Sequence, residues 1–114
     1  MPVQAGLEPI TILSGQSLSA SVHLHQQRLF GILMPAGWDA AALTFQASID
    51  NTNFFDVYDD GGNVLTMQAA ANRFIVIVSP LAYLGLQRIK VRSGTPSVAV
   101  AQTADRVLQL IPQA

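Results

Sequence analysis

Apolar residues recur at every second position along much of the chain. In SLSASVHLH, Leu18, Ala20, Val22 and Leu24 fall on one face, and Ser19, Ser21, His23 and His25 on the other. In LTFQASID, Leu43, Phe45, Ala47 and Ile49 alternate with Thr44, Gln46, Ser48 and Asp50. A period of two marks a strand with one buried face. RIKVR (88–92) places Ile89 and Val91 inward and Arg88, Lys90 and Arg92 outward. RFIVIV (73–78) is apolar on both faces and reads as a central strand. RVLQLI (106–111) is strand-like, with its inward face left open.

Turn signals separate these runs at short spacing: Ser14-Gly15, Pro35-Ala36-Gly37, Asp50-Asn51, Asp59 to Asn63, and Ser93 to Pro96. Strands are expected near 10–13, 18–25, 28–34, 43–50, 54–59, 64–67, 73–78, 87–92 and 105–111. Many short strands with regular punctuation predict an all-β sandwich or barrel. Phe45, Ile49, Val76, Ile89 and Val91 are then expected between two sheets. DAAAL (39–43) could open a helix at Asp39, but the alternation that follows favours a turn leading into a strand. In SPLAYLGL, Ser79 can cap, Pro80 suits a first helical position and Gly85 a stop, so one helical turn is expected near 80–84. Residues 1–9, with two prolines and a glycine, read as an N-terminal arm, and 10–114 as one domain.

Composition narrows the function classes. The chain has 114 residues, 50% hydrophobic and 11% charged, enough for a core and too little charge for a disordered tail. A formal net charge of −1 steers it toward neither nucleic acid nor an anionic membrane. Without cysteine there is no disulfide framework and no thiolate nucleophile. The start, MPVQAGLEPITILSG, lacks the basic region and apolar core of a secretory signal, and no apolar run reaches membrane-spanning length.

Four of the seven acidic residues crowd into QASIDNTNFFDVYDDGGN: Asp50, Asp56, Asp59 and Asp60. Asx side chains satisfy free backbone N–H groups in turns, and the glycines and asparagines tolerate positive φ. The acids therefore mark two successive turns roughly 17 Å apart along an extended segment. A calcium loop counted from Asp50 would need a ligand where Phe54 stands and glycine where Phe55 stands. No metal is expected there. His23 and His25, two apart on a strand, point to the same side, and two imidazoles leave a metal site incomplete. Arg88, Lys90 and Arg92 form a basic row that could pair with Asp56 or Asp105 across strands, or meet a protein partner. Trp38, in MPAGWDAAAL, is either a lid over the core or an exposed anchor. The sequence holds no nucleophile elbow, phosphate loop or dinucleotide fingerprint, so no catalytic residue and no cofactor are expected. The candidate interface residues are Trp38, Arg88, Lys90, Arg92, His23 and His25.

LTFQASIDNTNFFDVYDDGGN resembles a motif of jelly-roll domains of the galactose-binding-like and discoidin-like kind, with Asn51-Thr52 where that pattern often has Asp-Gly. The longer arrangement, SGQSLSASVHLHQQRLFGILMPAGWDAAALTFQASIDNTNFFDVYDD followed by LGLQRIKVRSGTPSVAVAQTADRVLQLI, resembles small phage virion proteins encoded among head genes, over roughly residues 11 to 111. That resemblance implies an antiparallel jelly-roll sandwich that decorates a capsid. The major capsid protein would be its partner, a homotrimer its state and the virion surface its location. It brings no catalytic residues and no sugar site. Two other readings stand beside it: a carbohydrate-binding module using Trp38, Phe54 and Tyr83, and a small metal-dependent enzyme using His23 and His25.

Overall fold

A computed structural model describes residues 8–24, 27–77 and 87–113. Among them eight strands follow in order: β1 (Glu8–Ile12), β2 (Val22–His23), β3 (Arg28–Leu33), β4 (Leu43–Ser48), β5 (Phe55–Asp56), β6 (Phe74–Val76), β7 (Arg88–Ser93) and β8 (Arg106–Gln113). They form two antiparallel four-stranded sheets, sheet A in the order β1-β8-β3-β6 and sheet B in the order β2-β7-β4-β5. β1 lies beside β8, β2 beside β7, β3 beside β6 and β4 beside β5. That is a long ribbon doubled back between β4 and β5 and then rolled, so that β8 meets β3 and β7 meets β4. This strand order is that of a jelly roll.

The core lies between the sheets. Sheet A contributes Ile10 and Ile12 from β1, Leu29 and Ile32 from β3, and Leu108 and Leu110 from β8. Sheet B contributes Leu43 and Phe45 from β4 and Ile89 and Val91 from β7. β8 thus resolves its inward face as Leu108 and Leu110. Pro112 pairs with Leu29, beyond the last β1 partner at Leu110 and beside a bulge in β3, where a missing N–H costs no ladder bond to β1. Gly94 closes β7 with φ of 94°, and a side chain there would meet the Val98 carbonyl oxygen at 2.5 Å.

Several expectations need correction. The segment expected as a central strand, 73–78, contains β6, which is an edge strand of sheet A with Phe74 and Val76 exposed. Two residues expected in the core are therefore outside it: Val76, and Ile49, which is fully exposed because β4 ends at Ser48 and a turn begins. Segment 64–67 forms only the isolated bridges Tyr58–Val64 and Leu43–Met67. The run expected as a strand over 18–25 is one only at Val22–His23. Ser19 there is buried, because its hydroxyl accepts the Val91 N–H at 2.9 Å and takes the place of a ladder carbonyl. β1 begins at Glu8, so the last two residues of the expected arm are strand. Residues 1–7 and the helical turn expected near 80–84 lie outside the described residues.

Candidate interaction surfaces

The basic row sits on the outer face of sheet B. Register sets His23 beside Arg88 beside Ser48, Lys90 beside Gln46 beside Asp56, and Arg92 beside Thr44. The row is not a uniform charged strip. The Arg92 side chain is only 10% exposed; its Nη2 donates to Asp56 Oδ1 at 2.5 Å and its Nη1 to Thr44 Oγ1 at 3.5 Å. Gln46 donates to the same Asp56 oxygen at 3.2 Å. The Arg92 hydrogen bond, reinforced by Gln46, holds the Asp56 carboxyl below its ordinary range against the opposing effect of burial. Lys90 lies over the Phe54 ring, its Nζ 4.4 Å from the centroid. Two of the three cations thus have partners within the fold, and Asp56 is the acid the sequence pointed to. Asp105 instead accepts the Ser14 N–H at 2.8 Å. His23 and Arg88 are half-buried, and His25 lies outside the described residues.

Trp38 is a core residue. It is 6% exposed, and its Nε1 donates to the Ala41 carbonyl at 3.1 Å. Of the two roles open to it, the lid over the core is the one it fills. With Trp38 buried and Phe54 beneath Lys90, these two aromatics make no exposed platform; Tyr83 lies outside the described residues.

Of the crowded aspartates, Asp50 and Asp59 act as turn residues, whereas Asp56, expected to mark a turn with them, lies in β5 and pairs with Arg92. Asp50 Oδ1 accepts the N–H groups of Thr52 and Asn53, each at 2.9 Å, and Asn51 takes φ of 61°. These bonds, the Asn53 N–H first, push the Asp50 carboxyl far below its ordinary range. Asp59 Oδ1 likewise accepts from Gly61 and Asn63 at 2.9 Å. Among the described residues no three of His, Cys, Asp and Glu gather to hold a metal.

One polar cluster carried no signal in the sequence. Gln102 is fully buried, and its amide is fully used. Its Oε1 accepts from Asp39 N–H at 2.9 Å and Arg106 Nε at 3.2 Å, while its Nε2 donates to Asp39 O at 3.1 Å and Ser93 Oγ at 2.8 Å. Asp39 Oδ2 accepts the Thr103 N–H at 2.6 Å, the main reason its carboxyl is held low. The Gln102 backbone also bonds Gln16 and Gly15. The cluster joins the loops at 13–16, 38–41 and 102–106 to the end of β7.

A cleft of about 410 Å³ opens beside β1, lined by Thr11, Leu13, Gln16, Leu18 and Lys90 among others. Its walls offer little convergent chemistry, since Ser19 is committed to Val91 and Lys90 to Phe54.

The outer face of sheet A is of another kind. Leu33, Phe74, Val76 and Val107 stand exposed on it. The pairings that carry this face are Leu33 with Phe74, Gly31 with Val76 and Ile111, and Thr11 with Val107. Phe74 packs against Gly31, its Cε1 3.0 Å from where a β-carbon would stand. No protein-family model, curated protein or solved structure matches this chain.

Proposed function

We propose that the chain is a non-enzymatic structural protein of a phage virion that decorates the capsid and stabilises it by bridging neighbouring subunits of the major capsid protein. The observation that carries this reading is a two-sheet jelly-roll sandwich whose chemistry-bearing side chains are tied up within the fold. A bridging protein works through covered area repeated over many sites, and its affinity grows with valency more than with any one contact. The side chains best suited to chemistry fit a scaffold role: Asp50 and Asp59 hold turns, Asp56 and Arg92 hold each other, and Asp39 and Gln102 tie loops together. The likeness of residues 11 to 111 to small phage head-gene products supports the same reading. Quantitative mass spectrometry of purified virions tests it. A fixed ratio to the major capsid protein is expected; absence from the particle, or trace amounts, would overturn it.

A further inference from the structure

An antiparallel sheet that faces water alternates apolar-in and polar-out. Sheet B obeys: β4 and β7 point Thr44, Gln46, Ser48, Arg88, Lys90 and Arg92 away from the core. Sheet A does not. On its outer side Leu33 is 43%, Phe74 58%, Val76 66% and Val107 44% exposed. The positions between them are filled by Ile111, Gly31, Thr11 and Gln109, and no ionisable side chain stands among them. Charges flank the face rather than enter it, with exposed Arg28 at the start of β3, Arg73 just before β6 and Asp105 just before β8, as a polar rim would. Strand propensity alone does not account for this, since β4 and β7 match β3 in length and carry polar outer residues.

We infer that the outer face of sheet A is the contact through which copies of this chain associate with one another. Four strands at about 4.8 Å spacing and about six residues of length give a face near 19 Å by 20 Å. With side-chain relief that is on the order of 500 Å² per copy, or about 1,000 Å² for two, the level at which specific interfaces begin and above most chance contacts. A neutral apolar face is best covered by another that brings no charge to desolvate, and every copy carries one. A lipid headgroup layer or an acidic partner would find no cation within the face to pair with. The inference extends the decoration reading and rests on it for its setting, but the contact itself is read from the sheet.

The chain lacks cysteine, so single-cysteine variants report contacts cleanly. The full-length protein is examined by sedimentation velocity up to roughly 100 µM, where even a weak, micromolar association is populated. The wild type is expected as an oligomer. Val76→Lys and Val107→Lys, on different strands, should weaken association at least tenfold, whereas Arg88→Ala on sheet B should not. Val107→Cys should cross-link between copies with a short bismaleimide, and Arg88→Cys should not, which keeps the test decisive if a lysine variant fails to fold. A monomeric wild type, an oligomer indifferent to both lysines, or cross-linking through Arg88→Cys alone would overturn the inference. A monomer that still binds capsids would remove this contact and leave the decoration reading standing; an oligomer that binds none would do the reverse.

Discussion

Arg92 shows what a strand pattern can and cannot say about one residue. The alternation in RIKVR placed it on the outer face, and it is there, yet it is buried. What the pattern could not carry is the company it keeps: Asp56 and Thr44 come from strands 36 and 48 residues earlier in the chain. Removing the acid would leave a largely buried guanidinium without its counter-charge, so Asp56→Ala is expected to cost about 2–4 kcal/mol in urea unfolding. The pair also sets a pH response. Asp56 has a lower pKa in the folded chain than in the unfolded one, so the unfolded chain takes up the proton first as pH falls. The stability it contributes is complete above about pH 5 and declines as pH drops through the ordinary carboxylate value and below. Asp39 and Asp50 titrate in the same direction. In Asp56→Ala the acid-induced loss of stability should be shallower than in the wild type; an unchanged slope would show that the pair contributes nothing to it. Ser19 and Gln102 mark the limit of legibility at this scale. Each is a polar residue whose burial depends on a hydrogen-bonding partner far along the chain, Val91 for Ser19 and Asp39 for Gln102, and nothing local announces it.

At the scale of elements, alternation identified β4 and β7 but overextended β2, where Ser19 is buried and Ala20 exposed, and a run with two apolar faces misplaced β6. β4 and β7 alternate, and Phe45, Ile89 and Val91 lie in the core as their period requires. FIVIV offers two apolar faces and so looks central, because coverage on both sides is the usual reason for such a run. Its place at the edge of sheet A depends on pairing, which the pattern does not encode. The turns at Asp50 and Asp59–Asn63 were legible, since they depend on contacts within four residues, whereas the turn at Ala71–Asn72 was not read from the sequence. The β3–β6 pairing has a residue-level lock that no periodicity reveals. Gly31 lets the Phe74 ring and the Ile75 carbonyl approach, and a β-carbon would lie 2.9 Å from that oxygen. Gly31→Ala is therefore expected to destabilise the fold by about 1–3 kcal/mol in urea or thermal unfolding. Stability equal to wild type would mean that β6 moves aside freely.

For the molecule as a whole, the all-β class followed from period and punctuation, and the jelly-roll order from the nesting of β1 with β8 through β4 with β5. The candidate interface was less legible. Three of the residues proposed for it from the sequence turn out to serve the fold: Trp38 in the core, Arg92 with Asp56, and Lys90 over Phe54. Charge and aromaticity are also used to hold a small sandwich together, so neither by itself marks an interface. The large apolar residues exposed on sheet A, Leu33, Phe74, Val76 and Val107, look like core in sequence. The decoration proposal makes covering area the whole task of this chain. The most direct test of that proposal is the stoichiometry of binding when purified protein is titrated onto capsids of the phage it would decorate, stripped of it. The account predicts saturation at a fixed ratio to the major capsid protein, with the loaded particles melting at a higher temperature. Binding that never saturates, or none at all, would contradict it.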